Sequence, residues 1–234
     1  MKFSVIIPAH NEEGIIFKTV ESLENVVIPG YEIVVVNDHS TDKTAEIVDI
    51  LAKKYGNIRL VENTNEPGFT NALQSGFKNA KTDIFLPVMA DLCDDPDTIN
   101  KMYEKMLEGF DIVCGSRYMR GGRKIGVLSF KSFCSRFVGR SLHLLIGIPT
   151  YDISNSFKMY KKNVIESIII ESSGFDISAE IPLKAYFKGF KITEVPTTWV
   201  DRKEGKSKFK VFKQGPRYLK LYLWALMNKI LVKI

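Results

Sequence analysis

The chain has 234 residues, 45% of them apolar, which is enough for one substantial core and short for two independent domains. Its 33 basic and 27 acidic residues leave +6, a balance that favours anionic partners: nucleic acid, phosphorylated small molecules or an anionic membrane. No apolar run approaches the roughly 20 residues needed to cross a bilayer, the apolar run from Phe3 to Pro8 is too short for a secretory targeting segment and is expected to be a strand, and Cys93, Cys114 and Cys134 form no Cys-x-x-Cys pair.

Taken in order, short β-branched runs alternate with segments of helical period. The pattern predicts strand Phe3–Ile7, helix Glu13–Leu23, strand Glu32–Val36, helix Thr41–Tyr55 and strand Ile58–Glu62. Helix Gly68–Ala80, strand Asp83–Val88, helix Pro96–Glu108 and strand Ile112–Cys114 follow, with Thr41 and Asp95 placed to cap the helices they precede. Repeated βαβ units make an α/β fold with a mainly parallel, Rossmann-like central sheet flanked by helices.

The second half is less regular. It predicts a basic amphipathic helix over Val127–Leu145, a strand near Ser156–Tyr160, a helix near Ser178–Lys188 and a strand Lys191–Trp199. Residues 1–215 read as one domain, and 216–234 as a C-terminal amphipathic helix whose aromatic and basic residues suit a bilayer interface. Docking of that helix on the protein's own core stays equally open. The cations gather in Arg117–Arg140 and Arg202–Lys220, and two separate clusters suit two phosphate-bearing sites better than one nucleic-acid stripe.

Open parallel sheets bind ligands just beyond their strand ends, and the distinctive residues lie there. Pro8-Ala9-His10-Asn11-Glu12-Glu13 follows the first strand and Asn37-Asp38-His39-Ser40-Thr41-Asp42 the second. Together they resemble glycosyltransferase family 2. A carboxylate at a strand end can accept hydrogen bonds from a base edge and ribose hydroxyls, and the resemblance assigns Pro8, His10, Glu12 and Asp38 to the nucleoside. In Met89-Ala90-Asp91-Leu92-Cys93-Asp94-Asp95-Pro96 the family usually has Asp-Ala-Asp. Ala90 and Asp91 keep that register, while Met89 replaces the first acid and weakens a Mg²⁺ or Mn²⁺ site, because hard ions prefer oxygen.

Downstream, Gly115-Ser116-Arg117-Tyr118, Gly121-Gly122, Ser135-Arg136, the stretch Asp152 to Tyr160, Gly174-Phe175 with Glu180, and Asp201-Arg202-x-x-Gly205-x-Ser207-Lys208 resemble the polyprenyl-phosphate glycosyltransferases, the dolichol-phosphate mannose synthases among them. The resemblance spans residues 1–210 and implies a GT-A fold. It also implies an inverting transfer of sugar from a nucleotide-diphosphate sugar to a polyprenyl phosphate. Arg117, Lys131 and Ser135 would bind the acceptor phosphate. Arg202, Ser207 and Lys208 would close over the sugar diphosphate, with Asp91, Arg117, Arg202 and Lys208 carrying the chemistry.

Expected partners are therefore the nucleotide sugar, the lipid phosphate and a membrane surface at its cytoplasmic face, with a membrane-spanning partner allowed and no nucleic acid. The three cysteines fit a reduced, cytoplasmic setting. Two other readings remain: transfer to a saccharide hydroxyl, which would need a base such as Asp94, Asp152 or Glu180, and a degenerate nucleotide-binding protein.

Overall fold

The computed structural model describes residues 2–25, 30–127, 130–201 and 211–231. Arg202, Ser207 and Lys208 lie outside them. Seven strands form one sheet in the order β3-β2-β1-β4-β7-β5-β8. They are β1 (Ser4–Ala9), β2 (Glu32–Asn37), β3 (Ile58–Glu62), β4 (Ile84–Pro87), β5 (Ile112–Ser116), β7 (Lys158–Lys161) and β8 (Ile192–Pro196), and β6 (Arg123–Ile125) pairs with β9 (Thr198–Val200) in a small second sheet.

The central strands are continuous apolar runs because both faces are covered: Val5, Ile7, Ile33 and Val35 pack on one side, Ile6, Val34 and Val36 on the other. Helices α1 (Ile16–Glu24), α2 (Thr44–Tyr55) and α4 (Thr98–Leu107) bury their apolar stripes against the first face, and α3 (Phe69–Asn79), the short α6 (Lys162–Ser167) and α7 (Ile177–Phe187) against the second. Gly76 of α3 lies so close to Ile6 and Val36 that any side chain there would collide with them.

The sheet is mainly parallel, as expected, with β7 as its antiparallel member between β4 and β5. That reversal matters for function. The C-terminal ends of β1, β2, β4 and β5 and the residues leading into β7 all meet at one edge of the sheet.

Three expectations need correction. The predicted strand Lys191–Trp199 is two strands: β8 ends at Pro196, paired with Ser116, and Thr197 then bridges the sheets, its N–H donating to Ser116 O and its carbonyl accepting from Arg123 N. The expected caps also shift. Asp42, not Thr41, takes the Thr44 N–H at 3.0 Å, and Asp95 serves the turn ahead of α4 by accepting from Asp97 N at 3.1 Å. Helix α8 (Val211–Leu231) begins before residue 216, with Pro216 inside it.

Helix α5 (Phe130–Ile146) and α8 pack on each other and on α7 through Leu142, Ile146, Leu183 and Ala225. Their other faces carry exposed apolar residues: Phe130, Phe133 and Phe137 on α5, and Leu219, Leu223, Met227 and Ile230 on α8. So α8 has two apolar faces, one sunk in the core and one in solvent. Among the described residues, no helix is long and apolar enough to cross a membrane.

Candidate active site

The loops after β1 and β2 are laced together. Asn11 Oδ1 accepts from Thr41 N at 2.8 Å, Glu12 N donates to Thr44 Oγ1 at 2.8 Å, Glu13 N donates to Asp42 Oδ2 at 3.1 Å, and His10 Nδ1 lies 2.6 Å from Asp38 O. Asn11 and His39 take positive φ, 53° and 56°, to make these turns. Pro8 lies one residue before the end of β1, paired with Val36. The buried Asp38 carboxylate is oriented by Asn63 Nδ2 at 2.7 Å and by the Gly68 N–H at 3.0 and 3.1 Å. Pro8, His10, Glu12 and Asp38 thus share one corner of the strand-end edge.

Beyond β4, Ala90 is buried and accepts from Thr19 Oγ1 at 3.0 Å, and Asp91 is half-buried with Oδ1 accepting from Cys93 N at 3.2 Å. The segment then runs beside β9: Val200 N donates to Cys93 O, and Asp94 bridges Trp199. Asp94 Oδ1 is sealed from solvent and has no hydrogen-bond partner among the described residues, and burial, reinforced by the Asp91 charge, pushes its pKa up to about 7.

Beyond β5, Arg117 is clamped by Asp152. Its Nε donates to Oδ2 at 2.7 Å, its Nη2 to Oδ1 at 2.8 Å, and its main-chain N–H to Oδ2 at 3.0 Å. Desolvation works against both charges, yet the pairing wins: the Arg117 pKa rises and that of Asp152 falls below the usual carboxylate range. Arg117 Nη2 also donates to Ser135 Oγ at 3.3 Å, and that oxygen lies 3.3 Å from Tyr118 OH and 2.5 Å from Ser154 Oγ. Three groups able to donate therefore crowd one hydroxyl, with Ser132 O a further acceptor for Tyr118 at 3.4 Å. Such an excess of donors beside a guanidinium suits an oxyanion.

Lys131 is exposed on α5 one turn before Ser135. Lys124 lies 5.0 Å from the Trp199 ring and reaches Ser132 Oγ. Of the sequence-derived site residues, the strand-end edge brings Pro8, His10, Glu12, Asp38, Ala90, Asp91, Arg117 and Ser135 to one side of the molecule.

Asp152, Tyr118 and Ser154 had no assigned place in this cluster from sequence, although Asp152 and Ser154 lie in the motif that leads into β7. Two candidate bases are also accounted for. Asp152 is committed to Arg117, and Glu180 accepts from Glu171 N at 2.8 Å and Ser172 N at 2.9 Å and pairs with Lys184, which together outweigh desolvation and lower its pKa. Neither suits proton removal at neutral pH.

The fold is of the GT-A type, and residues 4–169 match the profile of "Glycosyl transferase family 2"; the chain belongs to that family. Over 218 residues it is 35% identical to the dolichol-phosphate mannosyltransferase of Pyrococcus furiosus, covering 90% of this chain and 60% of that protein. Over 232 residues it is 25% identical to the undecaprenyl-phosphate mannosyltransferase of Micrococcus luteus, covering 97% and 95%. Among solved structures, glucosyl-3-phosphoglycerate synthase of Mycobacterium tuberculosis in complex with Mn²⁺, UDP and glucosyl-3-phosphoglycerate superposes with a TM-score of 0.70 at 19% identity, over 97% of this chain and 79% of that one. That likeness bears on the fold alone.

Proposed function

We propose that the chain transfers a sugar from a nucleoside-diphosphate sugar to a polyprenyl phosphate, inverting the anomeric centre. The carrying observation is the convergence of Arg117, Tyr118, Ser135 and Ser154 into a donor-rich cluster on the same sheet edge as Asp38 and Asp91. It suits an anionic acceptor beside a nucleotide corner, and both mannosyltransferase relatives are named for a polyprenyl-phosphate acceptor.

On this reading Pro8, His10, Glu12 and Asp38 hold the nucleoside, with Ala90 and Asp91 beside the diphosphate. Arg117, Lys131 and Ser135 hold the acceptor phosphate. Its second pKa lies near ~6, so it arrives largely dianionic and needs no base. The chain's task is alignment of phosphate oxygen, anomeric carbon and departing diphosphate, and screening of two anions from each other. Arg202, Ser207 and Lys208 are assigned to the leaving diphosphate by resemblance.

A divalent ion would supply further neutralisation of that diphosphate. Among the described residues no group of three His, Cys, Asp or Glu side chains could hold one, and position 89 offers a thioether. Asp91 supplies an oxygen that fits Mg²⁺ or Mn²⁺, and the donor's own phosphate oxygens would complete its shell.

The exposed apolar faces of α5 and α8, interspersed with Lys131, Arg136, Arg140, Lys220 and Lys229, suit the headgroup region of an anionic membrane, where a lipid acceptor resides. The test is a screen of nucleotide sugars against short-chain polyprenyl phosphates and soluble saccharides, with and without chelator. Transfer to the lipid phosphate is expected. Turnover of saccharides alone, abolished by Asp94→Asn, would replace this reading with hydroxyl transfer.

A further inference from the structure

Lys158 has no access to solvent. It opens β7 opposite Cys114 of β5, and its Nζ donates to the main-chain oxygens of Ile153, at 3.0 Å, and of Asn155. Withdrawing an ammonium group from water costs several kcal/mol unless it is hydrogen-bonded and paired, and desolvation lowers its pKa accordingly. A methionine of similar length would fill the same space without that penalty. What the amine adds is a tie between two carbonyls of one turn.

Three polar side chains of that turn reach the anion cluster or the strand that carries it. Asp152 clamps Arg117, Ser154 Oγ sits 2.5 Å from Ser135 Oγ, and Asn155 Nδ2 donates to Gly115 O at 2.9 Å. The other flank is fixed separately: Asp152 N donates to Thr150 Oγ1, which donates to Glu194 Oε2 at 3.0 Å. Without Lys158 the Thr150 side would stay anchored while Ile153 to Asn155 lost their tie.

We propose that Lys158 is a positioning residue for the acceptor: by pinning the Ile153 and Asn155 carbonyls it holds the turn that aims Arg117 and Ser135 at the phosphate. This rests on assigning the Arg117 cluster to the acceptor phosphate. Lys158 touches no substrate and acts through Asp152, Ser154 and Asn155.

The experiment compares full-length wild type and Lys158→Met for farnesyl phosphate binding by calorimetry, nucleoside diphosphate binding, and turnover with the nucleotide sugar that the wild type uses. Farnesyl phosphate affinity should fall, and acceptor KM rise, by about tenfold or more, with nucleoside diphosphate binding within about twofold and kcat at saturating acceptor within about threefold. A lower melting temperature with unchanged farnesyl phosphate affinity would leave Lys158 a stability residue and overturn the proposal.

If Lys158→Met does not fold, Ser154→Ala and Asn155→Ala each remove one arm of the turn, and unchanged acceptor affinity in both overturns it equally. Wild type that binds farnesyl phosphate without glycosylating it removes the proposed reaction, while the binding comparison still decides the role of Lys158. Wild type that does not bind farnesyl phosphate overturns both.

Discussion

Arg117 and Asp152 form a bidentate ion pair, 2.7 and 2.8 Å, in which the carboxylate is fully buried and also accepts the Arg117 main-chain N–H. The carboxylate therefore fixes both the backbone and the guanidinium plane of the residue proposed to meet the acceptor. Arg117→Ala should weaken acceptor binding by at least about tenfold and leave nucleoside diphosphate binding nearly unchanged, since a charge-assisted contact contributes about 1.5–3 kcal/mol. Equal losses for donor and acceptor in calorimetric titrations would contradict this separation of sites.

Removing one member of a buried pair strands the other charge. Asp152→Asn should therefore cost about 3–5 kcal/mol in denaturant unfolding at neutral pH. Because the folded Asp152 pKa is depressed, its contribution is fully present above the unfolded carboxylate value near ~3.9 and is lost as pH falls through the lower folded value. The gap between wild type and Asp152→Asn should narrow only in strong acid; a gap that closes between pH 5 and 7 would show that another group dominates.

Asp94 carries the opposite sign. Its folded pKa, about 7, lies above the unfolded value near ~3.9, so it favours folding over unfolding most when protonated and loses that advantage as pH rises between those two values. Asp94→Asn, which keeps the shape and removes the charge, should raise the melting temperature relative to wild type at pH 8 and have little effect at pH 4. A melting difference independent of pH would show that Asp94 does not titrate near neutrality.

The first half of the chain was legible because its signals are local. Ile33–Val36 and Ile84–Leu86 read as buried strands, Gly68 marks the start of α3, and the acids fall where strands end. The split at Pro196 was not legible, because one β-rich run serves two sheets and only the pairing of Thr197 with Ser116 and Arg123 divides it. The same limit applies to the site. Asp38, Asp91 and Arg117 follow strands and carry motif spacing, whereas the clamp on Arg117 comes from 35 residues away, and the lysine beneath it looks in sequence like one more cation of a basic protein. Burial of a charge is a property of tertiary packing, which no linear pattern encodes.

Met89→Asp gives the metal question a direct reading. Adding a carboxylate two residues before Asp91 restores a second oxygen donor where a thioether stands. Mn²⁺ affinity in the presence of a nucleoside diphosphate should tighten by about tenfold or more, measured by calorimetry or by water proton relaxation. Unchanged affinity would mean that position 89 does not face the ion, and the weak ligand there would no longer explain any metal independence of the wild type.

The exposed faces of α5 and α8 yield a prediction that separates membrane contact from folding. Phe133 and Phe137 are 68% and 61% exposed, and Leu223 is 51% exposed, so replacing any of them with glutamate removes little buried area and should leave the melting temperature nearly unchanged. On vesicles of mixed neutral and anionic lipid the same change removes an apolar side chain from the interface and adds a charge repelled by the headgroups. Each substitution should weaken binding by about tenfold, from burial worth about 1.5–3 kcal/mol per large side chain. Wild-type binding should also weaken as salt is raised, because Lys131, Arg136, Arg140 and Lys220 are exposed beside these faces. Cosedimentation in which all three glutamate variants match the wild type would place the lipid-facing surface elsewhere, and the acceptor's tail would then need another route to the Arg117 cluster.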